Sequence, residues 1–159
     1  MWVATAAEML TTNQKGNVAE LASARAAIEL GVDVYRAVGE GARYDTIFEV
    51  GRVLWRVKCK WTPIYRNVIG LCCYSSRRDR HGLMRRMYVA GEVDAYAAYC
   101  PDNDLCYLVP FAAFGSRTQV SLRLGPCGNN QRVGVNWASD YEFAATLGPS
   151  GAIAQLGER

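Results

Sequence analysis

The stretch that decides the fold is residues 43–61, RYDTIFEVGRVLWRVKCKW. Its two halves, 44–50 and 53–61, are rich in β-branched and aromatic residues, which favour extended strands. Gly51 and Arg52 lie between the halves and supply a short turn. The pattern therefore predicts a β-hairpin.

Charged side chains are concentrated at the open end of this predicted hairpin. Asp45 begins the first strand and lies across from residues 57–58 of the second when the turn centres on 51–52. Because side chains alternate between the two faces of a strand, Lys58 and Lys60 share one face. The sequence thus predicts one acidic side chain beside two lysines.

A helix is predicted upstream of this hairpin, over residues 13–30. Asn13 is a good N-cap residue, Gly31 ends the helix, and the alanine-rich interior favours it. If the helix packs on the sheet, Glu20 reaches the same end of the hairpin as Asp45. Glu20 lies on a face of small residues that allows close approach, formed with Gly16, Ala24 and Ala27.

The remaining elements complete a single domain. Further strands are predicted at 32–38, 67–75, 92–99, 105–111 and 119–124, and a second helix at 138–145. This order predicts an α/β protein that borders on α+β, with a central mixed sheet flanked by helices. The 159 residues, 50% of them hydrophobic, suit one core. We expect the domain to span 13–147, after a flexible lead (1–12) and before a loose tail (148–159).

Positive charge clusters between two of the predicted strands. The net charge is +3, and the densest basic cluster consists of Arg77, Arg78, Arg80, Arg85 and Arg86. Such a cluster is either a solvated loop or a set of phosphate contacts that position a nucleic acid without reading its sequence. The nearby carboxylate and lysines favour DNA contacts, with Lys15 and Arg43 as further candidates.

Two carboxylates and a lysine are the side chains that a metal-dependent phosphodiesterase needs. Asp45 and Glu20 would hold Mg²⁺ through oxygen atoms, and the metal would polarise a phosphate. A neighbouring lysine would orient or deprotonate the attacking water and stabilise the developing negative charge. The structural alternative is that Asp45 and Lys60 form only a cross-strand ion pair, which contributes about 0–1 kcal/mol at a surface.

Several short motifs carry a resemblance to a known family. They are GNVAE (16–20), RYD (43–45), RVKCKW (56–61), EVDAY to CYLVP (92–110) and NWA to YEF (136–143). Their order and spacing resemble the PD-(D/E)xK nuclease superfamily, and most of all its branch of small endonucleases that includes group I intron-encoded homing enzymes. The resemblance covers residues 13–145 and implies a restriction-endonuclease-like core.

The resemblance implies a role for each site residue. Asp45 matches the metal-binding aspartate, Lys60 the catalytic lysine, and Glu20 the helix carboxylate that completes the site. Cys59 matches the position whose backbone carbonyl can contact the metal. The implied reaction is cleavage of double-stranded DNA with Mg²⁺, or with Mn²⁺ in its place. Cutting both strands needs two sites, so analogy implies a homo-oligomer.

One position departs from the family pattern. Lys58 stands where the family has Glu, Asp or Gln, two residues before Lys60. An ammonium group has no acceptor, so the site would keep two carboxylates and one backbone carbonyl, with Glu40 as a reserve ligand. Two hypotheses stay open: the site tolerates the change, or the protein binds DNA and cuts it slowly or not at all.

The six cysteines offer a third hypothesis, a zinc-stabilised interaction protein. Cys72 or Cys73 with Cys100 and Cys106 could form a zinc site, although no CxxC pair is present. Buried, reduced thiols are the simpler expectation.

The ends of the chain give little indication of export or membrane insertion. Residues 1–10 contain no Lys or Arg, and no apolar run could cross a bilayer, so we expect a cytoplasmic location. Residues 154–159 resemble peptides produced when a reading frame runs into a tRNA gene, which would fit a mobile element.

Overall fold

The structure, a computed structural model, describes residues 4–151 and residue 153. Its elements are α1 (Thr12–Glu29), β1 (Asp33–Arg36), β2 (Thr46–Val50), β3 (Val53–Trp61), β4 (Ile64–Tyr65), β5 (Val68–Cys72), β6 (Tyr74–Asp79), β7 (Gly82–Met87), β8 (Ala95–Cys100), β9 (Leu105–Pro110), α2 (Phe111–Phe114), β10 (Gln119–Arg123), a 3₁₀ helix (Ala138–Tyr141) and α3 (Phe143–Thr146). Within these residues, none of the helices combines the length and apolar character that a bilayer span requires.

A five-stranded mixed sheet forms the centre of the fold, in the order β1-β2-β3-β8-β9. β3 and β8 run parallel, and the other neighbouring pairs are antiparallel. The hairpin predicted within 43–61 is β2–β3, in which Thr46 pairs with Val57. Its turn contains Gly51 at φ 63°, a left-handed conformation that glycine adopts without steric cost. The predicted α/β class with a mixed sheet is confirmed.

α1 packs on one face of this sheet. Thr11, rather than the predicted Asn13, is its N-cap: the Thr11 hydroxyl accepts a hydrogen bond from the Gln14 N–H, and the Gln14 side chain accepts one from the Thr11 N–H. Glu20 is half-buried and lies beside the buried face of the helix. That face consists of small side chains, which allow close approach to the sheet: Ala19, Ser23 and Ala27.

Alternating side chains of the central strands fill two cores. On the helix side, Ala95 and Ala97 of β8 belong to a cluster with Phe48. On the opposite side, Tyr96 and Ala98 pack with residues of a three-stranded sheet in the order β10-β5-β4. The central sheet is therefore covered by α1 on one face and by strands on the other.

Two predicted segments have a different local structure. The basic segment 76–87, for which no strand was predicted, forms most of the antiparallel hairpin β6–β7. The predicted helix 138–145 is divided at Glu142, whose extended backbone (φ −53°, ψ 145°) separates the 3₁₀ helix from α3. Ile153, within the segment predicted as a loose tail, is buried in the helix-side core. Residues 1–3, 152 and 154–159, which include the end of the predicted tail, lie outside the described residues.

Phe48→Ala tests the helix-side core. Phe48 is fully buried and its ring centre lies 5.9 Å from that of Phe143. We expect a loss of about 3–5 kcal/mol in the free energy of unfolding, because the substitution leaves a cavity. Urea unfolding followed by circular dichroism measures it. Leu54→Ala, at an exposed position of β3, is the matched control and should change stability by about 0.5 kcal/mol or less; equal losses would contradict this description of the core.

Candidate active site

Asp45 lies directly before β2, where that strand meets β3. Its N–H donates to the Val57 carbonyl at 3.0 Å, which extends the β2–β3 pairing. Its Oδ2 accepts from the Cys59 N–H at 2.8 Å, and its Oδ1 accepts from Lys58 Nζ at 2.7 Å. Both carboxylate oxygens are therefore held by β3.

Lys58 is the direct ionic partner of Asp45. The Lys58 and Asp45 side chains are 23% and 14% exposed, so water screens the pair only in part. Burial opposes the charge of Lys58, but the hydrogen bond to Asp45 and the negative charge of Asp45 outweigh it and raise the pKa of Lys58. Lys58 is therefore charged at neutral pH and competes with any other cation for Asp45.

Lys60 lies on the same face of β3 but makes different contacts. Its Nζ donates to the Tyr74 carbonyl at 2.8 Å and lies 5.4 Å from the centre of the Tyr88 ring. Burial, and after it the positive charge of Lys58, lowers the pKa of Lys60. Lys60 is thus directed to the base of the β6–β7 hairpin, and its neutral form is more populated than that of an exposed lysine.

Glu20 and Asp45 line one open cavity of about 530 Å³. Glu40, the reserve ligand, lines it as well. Glu20 Oε2 accepts from Arg36 Nη2 at 2.8 Å, so each of the two predicted metal-binding carboxylates has a cationic neighbour. Among the described residues, no three His, Cys, Asp or Glu side chains come together as a group that could hold a metal ion. The carboxylates therefore share a cavity without converging on one point.

The cysteines do not support the zinc hypothesis, because among the described residues no three cysteine, histidine or acidic side chains lie close enough to hold a metal ion. All six thiols are free, and Cys73, Cys100 and Cys106 are buried. Burial raises the pKa of Cys106 to about 11. Neutral, buried thiols of this kind contribute to packing as small apolar side chains.

Three arginines of the basic cluster have partners within the chain. Arg86 Nη2 donates to Glu92 Oε1 at 2.8 Å, and the Arg85 guanidinium lies 4.7 Å from the centre of the Tyr74 ring. Arg80 donates to the adjacent histidine at 3.0 Å. These contacts hold the side chains against the hairpin or its base.

Arg77 and Arg78 are exposed, and within the described part of the chain their side chains have no hydrogen bond, ion pair or ring contact. Lys15 Nζ lies 5.9 Å from the centre of the Trp61 ring. Two arginines of the hairpin are therefore free to meet a ligand.

Arg43 is enclosed by the base of the hairpin. It donates to Ser75 Oγ at 3.0 Å, to the Met87 carbonyl at 3.1 Å and to Glu92 Oε2 at 3.2 Å. Its guanidinium also lies 4.3 Å from the centre of the Tyr88 ring. This geometry makes Arg43 an anchor of the hairpin; contact with DNA stays a prediction for this residue.

Comparison with known proteins gives this geometry its context. A family model described as PD-(D/E)XK endonuclease matches residues 10–144. The chain belongs to the PD-(D/E)XK endonuclease family. The resemblance carried by the short motifs is thereby confirmed, and the chain is an endonuclease by membership. PD-(D/E)XK nucleases generally use divalent metal ions.

A solved structure resembles this PD-(D/E)XK endonuclease over most of both chains. It is a bacterial homing endonuclease, I-Ssp6803I, with a TM-score of 0.65 and 23% sequence identity over 85% of this chain and 90% of that chain. At this identity the likeness establishes the fold, which is restriction-endonuclease-like. No curated protein gave a significant sequence match.

The ion-pair partners of the predicted site residues were not identified from the sequence. Arg36, which binds Glu20, lies in β1, and no local spacing indicates that contact. Glu92 binds both Arg43 and Arg86. An acid that follows a run of arginines is a signal that could have indicated these ion pairs.

Lys58→Gln tests the electrostatic coupling of the two lysines. The substitution removes a positive charge that lowers the pKa of Lys60, so we expect the pKa of Lys60 to rise. The chain contains only three lysines, Lys15, Lys58 and Lys60. NMR titration of ¹³C-methylated lysines measures the change, with Lys15 as an internal control that should not shift. An unchanged pKa for Lys60 would contradict the coupling.

Proposed function

We propose that this endonuclease hydrolyses phosphodiester bonds of double-stranded DNA in a Mg²⁺-dependent reaction, with Mn²⁺ as a substitute. The observation that carries the proposal is the cavity shared by Asp45 and Glu20, next to the strand that bears Lys58 and Lys60. Family membership supports the reaction class.

The residues at this cavity fit magnesium in the type of ligand they offer. Mg²⁺ prefers oxygen and keeps several waters, so two carboxylates with a substrate phosphate are sufficient. Asp45 and Glu20 would hold the ion, with the backbone carbonyl of Cys59 as a third contact. When bound, the metal supplies Lewis-acid polarisation of the phosphate and a more acidic water. Asp45 Oδ1 already accepts from Lys58 Nζ at 2.7 Å, so Lys58 would compete with the ion for this carboxylate.

Lys60 has properties suited to a residue that serves the attacking water. Its lowered pKa increases the fraction of Lys60 that is neutral and available to accept a proton, and its charged form would stabilise negative charge at the phosphate. Its Nζ donates to the Tyr74 carbonyl, so Lys60 would exchange this hydrogen bond for one to the attacking water or to the phosphate.

DNA would be held by the arginines of the β6–β7 hairpin. Exposed guanidinium groups bind phosphates and release counterions, which makes such binding sensitive to salt. We further propose a homo-oligomer, because cleavage of both strands needs two sites. A cytoplasmic location agrees with free thiols at all six cysteines. The hairpin residues concerned are Arg77, Arg78, Arg80, Arg85 and Arg86.

Lys60→Ala tests the catalytic proposal. A pool of supercoiled plasmids should be nicked by the natural chain with Mg²⁺ or Mn²⁺ and left intact with EDTA. Loss of the lysine should lower the rate about 100-fold or more, the usual contribution of a positioned acid–base group. Arg25→Ala, which removes an exposed helix ion pair with Glu29, is the control and should cut at the natural rate. If the control cuts and Lys60→Ala cuts at the same rate, the role of Lys60 is refuted.

A second candidate function is DNA binding with impaired cleavage. The 2.7 Å ion pair between Lys58 and Asp45 favours it, because this pair occupies a carboxylate that the metal needs. Under this hypothesis the natural chain binds duplex DNA but does not cut it, while Lys58→Gln cuts. Calorimetric titration with Mn²⁺ provides a readout independent of cleavage: Lys58→Gln should bind Mn²⁺ about tenfold more tightly or better if Lys58 competes for Asp45. Equal affinities would exclude that competition.

A further inference from the structure

The β6–β7 hairpin is an isolated two-stranded ribbon. Within the described residues its strands pair only with each other, over six residue pairs, which corresponds to a length of about 20 Å. All residues from Ser76 to Arg86 are exposed. Its base is fixed to the domain by Arg43 and by the Arg86–Glu92 ion pair. The ribbon is thus anchored at one end and exposed along the rest of its length.

The two faces of the ribbon differ in charge. Directly paired residues point to the same face, so the strand register assigns each side chain to one of the two. The Arg77 face also carries Ser75, Met84 and Asp79, and its Arg86 is neutralised by Glu92. The Arg78 face contains no acidic residue: it consists of Tyr74, Ser76, Arg78, Leu83, Arg85 and Met87.

Arg78 lies directly opposite Leu83, which is 53% exposed, and Arg77 lies opposite Met84, which is 58% exposed. Phosphate binding requires positive charge and gains nothing from an exposed leucine beside it. Base edges in the major groove, however, offer partners to both: an arginine binds O6 and N7 of guanine, and an apolar side chain contacts the methyl group of thymine. An arginine paired with an exposed apolar side chain is therefore better suited to bases than to phosphates. Of the two faces, the Arg78 face is the one without a carboxylate to repel DNA, because Asp79 lies on the Arg77 face.

We infer that the ribbon enters the major groove of duplex DNA with its Arg78 face on the base edges, and that Arg78 and Leu83 determine sequence preference. The inference rests on the proposed binding of double-stranded DNA and replaces a purely phosphate-binding role for this part of the cluster. A major groove about 12 Å wide admits a two-stranded ribbon. Arg77, on the opposite face, points away from the bases.

The test compares Arg78→Ala with Arg77→Ala, which remove the same charge from neighbouring positions on opposite faces. Each full-length chain selects sequences from a pool of random duplexes in Ca²⁺, which limits cleavage. Arg78→Ala should lose the preference at one base pair and bind the selected site about tenfold more weakly. Arg77→Ala, which removes a proposed phosphate contact, should weaken binding to all duplexes alike and keep the preference. Arg78→Lys keeps the positive charge but cannot make the bidentate hydrogen bonds of a guanidinium, so it should not restore the sequence preference.

A second experiment tests the same contact by changing the DNA instead of the protein. The selected duplex is remade with 7-deazaguanine, which lacks the N7 acceptor, at each guanine in turn. One replacement should weaken binding by the natural chain about tenfold and leave Arg78→Ala unaffected. Thermal melting of every variant verifies that it is folded.

The outcomes separate this inference from the proposed function. If the natural chain and Arg78→Ala select the same motif, the ribbon does not read bases. The same conclusion follows if Arg78→Ala and Arg77→Ala change the selected motif equally. In both cases the proposal that the chain binds DNA is unaffected. If the natural chain binds no duplex at all, both the proposed function and the ribbon are overturned.

Discussion

The carboxylate of Asp45 is the group on which the site depends. It accepts the N–H of Cys59 and the ammonium of Lys58, so it joins the beginning of β2 to the middle of β3. A partly buried carboxylate without such partners would be costly, and the pair with Lys58 offsets that cost. The same contacts hold the acid in the lining of the cavity that it shares with Glu20. A metal ion bound to Asp45 would therefore replace the ammonium group of Lys58 rather than neutralise an unpaired carboxylate.

Alternation along β3 links this group to the rest of the molecule. Val57 and Cys59 belong to the helix-side core, so Lys58 and Lys60 lie on the other face of the strand. There Lys60 binds the Tyr74 carbonyl at the first residue of the ribbon. The ribbon is also held by Arg43, which precedes Asp45 by two residues. Lys60 is therefore joined to the ribbon by one hydrogen bond, and Arg43 holds the same ribbon to the segment that carries Asp45.

Much of the fold could be predicted because its signals are local. The β2–β3 hairpin follows from apolar strand residues around a glycine turn, and α1 from its alanine content. The ribbon could not be recognised as strands, because both of its faces are exposed and it carries no apolar alternation. The division of the C-terminal helix depends on the backbone of Glu142, which is bridged to Tyr107 of β9. That pairing partner is distant in sequence and leaves no local trace.

The sequence by itself determined the family, the mixed sheet, the neighbouring positions of Asp45 and Lys58, and the concentration of arginines between residues 77 and 86. Register within one hairpin is a local property, and so these features can be read along the chain. Tertiary structure alone decided that Glu20 is bound by Arg36, that Lys60 is turned to the ribbon, and that Arg43 is an anchor. Each of these contacts joins elements that are separated along the chain and brought together by packing of the two cores. Partners of this kind cannot be inferred from residue spacing in the sequence.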